Sequence, residues 1–308
     1  MIWSGVMPAM TTPFDKNLAV DHPFLAQHAA WLLGNGCTGL VMLGSLGEGA
    51  TLENSEKVDI LKTAVRVAQG KAPVVAAISS LSTANAVRLA KEAEQAGCQA
   101  LMVLPPYVYT SDWREMKNHV STIIAATGLS CMLYNNPIAY KTDFLPSEIA
   151  ELAAEHANLH AVKESSADVR RVSAIRELPG DRLSIFVGVD DALVEGVNAG
   201  AKGWIAGLVN AFPAESVKLF QLAQAGKREE AFALYRWFLP LLRMDTVPKF
   251  VQLIKWVQKQ MSVGSARVRA PRMELVGKEL ETAEGTLKTA LANRPRVDEK
   301  PFSSFKGA

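Results

Sequence analysis

The segment Leu159-His160-Ala161-Val162-Lys163-Glu164-Ser165-Ser166 reads as a short strand with a lysine near its C-terminal end. Strands of α/β proteins, covered on both faces by helices, are near-continuous apolar runs. A lysine in such a place is partly desolvated, which disfavours the charged form and lowers its pKa. The neutral amine is a nucleophile able to form a Schiff base with a carbonyl. Taken alone, Lys163 fits a salt-bridged lysine at a strand end equally well. Its meaning depends on what the rest of the chain builds around it.

Seven more apolar runs of strand length flank this one: Gly5–Thr11, Gly39–Gly44, Pro73–Ser79, Ala100–Pro105, Ser130–Asn135, Leu183–Gly188 and Gly203–Leu208. Between them lie stretches with helical periodicity, such as Pro23–Asn35, Glu53–Gln69 and Ser82–Ala96. Gly36, Gly97 and Gly200 each follow a helical stretch and supply a left-handed cap. Asp21 and Ser82 stand where N-caps belong. Strand and helix alternating eight times predicts an α/β protein of the (β/α)8 TIM-barrel type; a doubly wound open sheet is the alternative. Residues 1–225 would form the barrel, with Ala214–Ala225 as its eighth helix. Residues 226–292 would form a C-terminal helical extension from Arg228–Leu242, Val247–Met261 and Met273–Ala292. The polar tail 293–308, containing Pro295 and Pro301, is expected to be mobile.

Composition narrows the function classes. The 308 residues are 49% hydrophobic and 21% charged, enough for one large core. The net charge is +2 with basic residues spread along the chain, which argues against nucleic acid as a partner. No apolar run approaches the roughly 20 residues of a membrane helix. Met1-Ile2-Trp3-Ser4-Gly5 lacks a basic segment followed by an apolar stretch, so no secretory leader is expected. Cys37, Cys98 and Cys131, an odd and scattered set, fit buried reduced thiols and a cytoplasmic location.

Active sites of this fold lie at the C-terminal ends of the strands. That mouth would receive Thr11 and Thr12, the loop Gly44-Ser45-Leu46-Gly47-Glu48, Tyr107, Tyr134-Asn135-Asn136-Pro137, Lys163, Gly188-Val189-Asp190-Asp191 and Ala206-Gly207. So many polar residues converging around Lys163 favour the nucleophile. Asp190 and Asp191 also fit helix caps. Trp204 faces either the pocket or the outer helices. Glu164, Arg170 and Arg171 read as surface or helix-start charges, and Gly47 as the residue that permits the loop's tight turn.

The segments MPAMTTPF (7–14), GLVMLGSLGEGATL (39–52), LPPYVY (104–109), MLYNNP (132–137), VKES (162–165), VGVDD (187–191) and GWIAGLVN (203–210) resemble the dihydrodipicolinate synthase / N-acetylneuraminate lyase family of Schiff-base aldolases. The likeness runs from Ile2 to Gln260. It implies an eight-stranded barrel, commonly a homotetramer of two tight dimers, with no metal or organic cofactor. It assigns the Schiff-base lysine to Lys163 and the proton-shuttling tyrosine to Tyr134. Ser45 matches a hydroxyl bonded to that tyrosine, and Tyr107 a tyrosine that reaches across the dimer. Leu46 and Ser45 match the backbone donors for a 2-oxo acid carboxylate, and Ile205 a strand-8 residue whose carbonyl faces substrate. Ala206, Gly188 and Asp190 complete the expected substrate-binding set.

Departures from the family pattern point within it. Dihydrodipicolinate synthases carry an arginine two residues after the YNxP proline; here that residue is Ala139. A bidentate carboxylate clamp is therefore missing, and Lys141 cannot reproduce its geometry. The first expectation is 1-pyrroline-4-hydroxy-2-carboxylate deaminase, whose branch has similar GSLGEG, PPYVY and YNNP segments. The alternatives are 4-hydroxy-tetrahydrodipicolinate synthase and a pyruvate-dependent hydratase-aldolase of aromatic compounds, for which Trp204 would suit a ring. All three take a small 2-oxo acid or its cyclic imine. A sensor or structural subunit would be expected to have lost Lys163 or Tyr134.

Overall fold

Residues 1, 3–110, 112–178 and 180–305 are described in the computed structural model. Eight strands alternate with helices: β1 (Gly5–Pro8), β2 (Leu40–Met42), β3 (Val74–Ile78), β4 (Ala100–Val103), β5 (Ser130–Asn135), β6 (Leu159–Glu164), β7 (Ser184–Val187) and β8 (Gly203–Ala206). The helices are α1 (His22–Gly34), α2 (Asn54–Ala68), α3 (Thr83–Gln95), α4 (Trp113–Ala125), α5 (Pro137–Tyr140), α6 (Pro146–Glu155), α7 (Arg170–Glu177), α8 (Leu193–Asn198), α9 (Pro213–Gln224), α10 (Arg228–Leu242), α11 (Phe250–Gln260) and α12 (Gly277–Ala292).

All strand pairs are parallel, in the order β1-β8-β7-β6-β5-β4-β3-β2. A parallel bridge between Ala9 and Val41 joins β1 to β2. The sheet thus curls into a nearly closed (β/α)8 barrel, and the doubly wound alternative falls. Each of the eight apolar runs contains its strand. The caps work as the sequence suggests: Asp21 accepts from the Phe24 N–H at 3.0 Å and Ser82 from the Asn85 N–H at 3.3 Å. Gly36, Gly97 and Gly200 have φ of 94°, 92° and 108°, the left-handed region that glycine enters without strain.

Two expectations change. The last helix begins at Gly277 rather than Met273, where Glu279 accepts from the Val276 N–H at 3.3 Å and caps the start. The tail is not loose: residues 294–305 run back along α1 and α9. Trp31 Nε1 donates to the Lys300 carbonyl at 2.8 Å, Arg294 pairs with buried Glu215 at 2.6 Å, and Phe302 packs 5.5 Å from Phe24 and Trp31. Polarity concealed two phenylalanines that have an apolar face to cover.

The extension is fastened to the barrel mouth. The Tyr235 hydroxyl on α10 donates to the Asp191 carbonyl after β7. The short 3-10 turn Arg243–Asp245 between α10 and α11 is thereby held beside the exits of β7 and β8.

Candidate active site

Lys163 and Tyr134 are paired in register on neighbouring strands, so their side chains enter the barrel mouth side by side. Lys163 is 6% exposed, and its Nζ lies 4.2 Å from the centroid of the Tyr134 ring. Burial pulls its pKa down to about 8, against the opposing charges of Asp245 and Asp190. Burial pushes the Tyr134 phenol up to about 12. Asn136 Nδ2 donates to the Tyr134 hydroxyl oxygen at 2.9 Å, leaving the phenolic hydrogen free to be given away. Gly188 is required beside them: a Cβ there would stand 2.7 Å from Lys163 Cε and 2.8 Å from its Cγ.

The loop after β2 brings Ser45 and Leu46 to the same mouth, where the backbone N–H groups of both residues donate to nothing among the described residues. Two free donors at adjacent positions suit one carboxylate. Leu43 and Glu48 take positive φ, 67° and 54°, so the tight turning occurs there. Gly47 is needed for another reason, since a Cβ would sit 2.8 Å from the Met10 carbonyl. Below the loop, Glu48 accepts from Lys255 at 2.7 Å and from the Arg269 N–H at 3.0 Å, both within the interior. This buried pair ties α11 to the substrate loop.

The Ser45 hydroxyl bonds Tyr140, not Tyr134. The cause is local. Pro137 opens the single turn α5, Asn136 Oδ1 accepts from the Ala139 N–H at 3.0 Å, and Lys141 ends it at φ 58°. One turn folds Tyr140 back over the strand end. Its ring lies 5.7 Å from Tyr134, edge-on, and 6.5 Å from Tyr107. Three phenols therefore stand in a row, with Tyr140 in the middle. Tyr140 was missed as a site residue; the YNNPIAYK segment was its only signal.

On the opposite side, Asp190 is wholly buried and spends both oxygens on the fold. It accepts from Trp204 Nε1, the Gly207 N–H and the Leu208 N–H at 2.9–3.1 Å. Burial still raises its carboxyl to about 6. Its hydrogen bonds make it a brace between β7 and β8. Trp204 is that brace's partner, buried and committed by its N–H, which leaves no free indole to line a pocket. Ile205 is buried, and the Ala206 carbonyl accepts from the Ala9 N–H at 2.8 Å in the barrel ladder. Glu164, read as a surface charge, is buried against the outer helices and accepts from Asn135 Nδ2 at 3.0 Å and the Ser166 N–H at 2.7 Å.

Asp245 went unnoticed in the sequence. It comes from the extension, and burial together with Asp190 pushes its carboxyl well above the usual range. No three His, Cys, Asp or Glu converge on a metal site among the described residues. What is assembled is an amine near neutrality, a phenol poised to give or take a proton, and a cradle for one carboxylate. Such a set can condense with a 2-oxo acid and move a proton at its C3.

Comparison with known proteins agrees. The Dihydrodipicolinate synthetase family matches residues 2–290. Among curated proteins, the 4-hydroxy-tetrahydrodipicolinate synthases of Alkalilimnicola ehrlichii and Mesorhizobium japonicum are similar. The first is 31% identical over 94% of this chain and 99% of its own length, the second 32% over 87% and 91%. Among solved structures, the 4-hydroxy-tetrahydrodipicolinate synthase of Methylacidiphilum fumariolicum superposes with TM-score 0.91 at 26% identity, covering 94% and 97% of the two chains. Dihydrodipicolinate synthase DapA-2 of Bacillus anthracis gives 0.90 at 26%, covering 96% and 100%. The chain belongs to the dihydrodipicolinate synthetase family and is a Schiff-base lyase of that family acting on a small molecule.

Proposed function

We propose that the enzyme is a 1-pyrroline-4-hydroxy-2-carboxylate deaminase, releasing ammonia and 2-oxoglutarate semialdehyde. The observation that carries this reading is α5. At the position of the synthases' arginine it offers the methyl of Ala139, exposed, and it turns the Tyr140 phenol onto Ser45. The second carboxylate of a dicarboxylate product has no guanidinium to meet there. A compact substrate with one carboxylate needs only the donors of Ser45 and Leu46.

In this reading Lys163 adds to C2 of the cyclic imine and the ring nitrogen departs as a primary amine, leaving an open-chain iminium on Lys163. Tyr134 gives its phenolic proton to the departing ring nitrogen and, as phenolate, takes a C3 proton to give the enamine; that proton then goes to the C4 hydroxyl, which leaves as water. Proton shifts then carry the unsaturation to C5. Hydrolysis at C5 releases ammonia, and hydrolysis at C2 frees Lys163. One water leaves and two enter.

The reading also takes the enzyme as a cytoplasmic homotetramer of two tight dimers. The exposed Leu81 and Val108, flanking the β4 exit, support an interface there. Sedimentation analysis as a monomer would refute that part.

A second reading, 4-hydroxy-tetrahydrodipicolinate synthase, is favoured by the names of the similar proteins. One experiment decides between them: borohydride trapping followed by peptide mapping, with turnover assays on the same compounds. The panel is pyruvate with aspartate semialdehyde, 1-pyrroline-4-hydroxy-2-carboxylate and an aromatic pyruvylidene compound. Ammonia released from the pyrroline alone, with the adduct on Lys163, supports the deaminase. Condensation of pyruvate with the semialdehyde replaces it by the synthase, and cleavage of the aromatic compound by a hydratase-aldolase. Lys163→Ala is expected to abolish every adduct and all turnover.

A further inference from the structure

Two carboxylates stand beside the reactive lysine, and they differ in what they have left to offer. Asp190 is saturated by three N–H donors. Asp245 accepts no hydrogen bond and forms no ion pair among the described residues. Its neighbour Arg243 turns instead to Asp191, at 3.5 Å. Its charge nonetheless reaches Lys163, raising the lysine's pKa as that of Asp190 does.

Its position is defined by a glycine. A Cβ placed on Gly207, at the exit of β8, would collide with Asp245 Oδ1 and lie 2.6 Å from its Cγ. The carboxyl therefore lies directly over the strand end whose N–H groups hold Asp190. The segment that supplies it is clamped at that edge of the mouth by Tyr235, through the Asp191 carbonyl. The acid is half-buried and has no bonding partner among the described residues, so its oxygens are open to whatever enters the mouth.

We infer that Asp245 contacts the substrate beyond C2, accepting from a hydroxyl or pairing with an ammonium group, and that it excludes substrates bearing a second carboxylate. A hydroxyl donor satisfies the lone pairs of the acid. While Asp245 is ionised, a second carboxylate brought against it meets like charge and finds no donor there. The inference deepens the deaminase reading, whose substrate carries a C4 hydroxyl and exposes an amine on ring opening. It does not depend on that compound, because the discrimination applies to any 2-oxo acid that adds to Lys163.

The test is borohydride trapping on Lys163, read by intact mass across a concentration series, in the wild type, Asp245→Asn and Asp245→Ala. The probes are pyruvate, 4-hydroxy-2-oxobutanoate and 2-oxoglutarate, none of which is the cyclic imine. The wild type should trap the hydroxylated acid at lower concentration than pyruvate, and 2-oxoglutarate poorly. In Asp245→Ala the hydroxyl preference should disappear, and 2-oxoglutarate should gain about tenfold or more relative to pyruvate as the like charge is removed. Pyruvate should be trapped by both variants, which controls for folding. Unchanged probe ratios in both variants would overturn the inference. So would loss of pyruvate trapping in both, which would make Asp245 a support for the lysine itself. If the ratios shift while the pyrroline releases no ammonia, the deaminase reading fails and the specificity role stands.

Discussion

Lys163 and Tyr134 face one another in register across β6 and β5, with the lysine nitrogen 4.2 Å from the centre of the phenol ring. The ring face favours positive charge on that nitrogen, by roughly 2 kcal/mol when water is excluded. Burial opposes it and prevails in the free enzyme, where the pKa falls to about 8. Once a protonated iminium forms on Lys163, the same ring stabilises its charge. The arrangement thus holds a neutral amine before the reaction and supports the cation formed during it.

The pH dependence follows from that amine. Adduct formation with pyruvate requires the neutral form, so its rate should climb about tenfold per pH unit below about 8 and level off above. Asp245 raises the lysine's pKa, so Asp245→Asn should move the midpoint to lower pH. Stopped-flow or quenched trapping between pH 6 and about 10 measures both. A midpoint near the ordinary lysine value would contradict the buried-amine account.

The three phenols should separate by substitution. Tyr134→Phe removes the group beside the amine, and turnover should fall on the order of 10²-fold while pyruvate is still trapped. Tyr140→Phe breaks only the bond to Ser45, and a fall of about tenfold in kcat, with KM little changed, is expected. Steady-state kinetics on both variants checks the order. A larger loss from Tyr140→Phe than from Tyr134→Phe would reverse their roles.

Gly188→Ala should inactivate without unfolding. The new methyl meets Ser165 Oγ and the Lys163 side chain, so the amine must leave its place over Tyr134. A loss of at least about 10²-fold in kcat/KM, with the circular dichroism spectrum unchanged, is expected from displacement on this scale.

The Glu48–Lys255 pair is a stability prediction. Glu48→Gln leaves the lysine charge buried, and about 3–5 kcal/mol should be lost in urea unfolding. Replacing both residues, Glu48→Leu with Lys255→Met, should recover most of that loss. Because Glu48 ends the loop that carries Ser45 and Leu46, KM should rise in the single variant.

The barrel was legible because parallel strands covered by helices leave an unbroken apolar trace, and because Gly36, Gly97 and Gly200 punctuate it at the required left-handed positions. Lys163 could be singled out because it breaks that trace. Glu164 was misread by the same logic run one residue too far. Alternation turns it outward, but outward in a barrel means towards α6 and α7, not water. Ser45's partner could not be read from spacing, since it depends on a single helical turn that re-aims Tyr140. Asp245 left no signal at all: it sits in a three-residue turn between helices, with no periodicity to mark the direction it faces.

The tail has a bearing on how the chain is made. Trp31, on the first helix, meets its cover at Lys300 and Phe302 across a separation of 269 residues for the hydrogen bond alone. At the rates of ribosomal synthesis, roughly 5–20 residues per second, that side of α1 waits about 13–54 seconds for its partner. Throughout that interval the indole of Trp31 and the ring of Phe24 lack the cover that Lys300 and Phe302 bring, so this face of the first helix is the last to be closed.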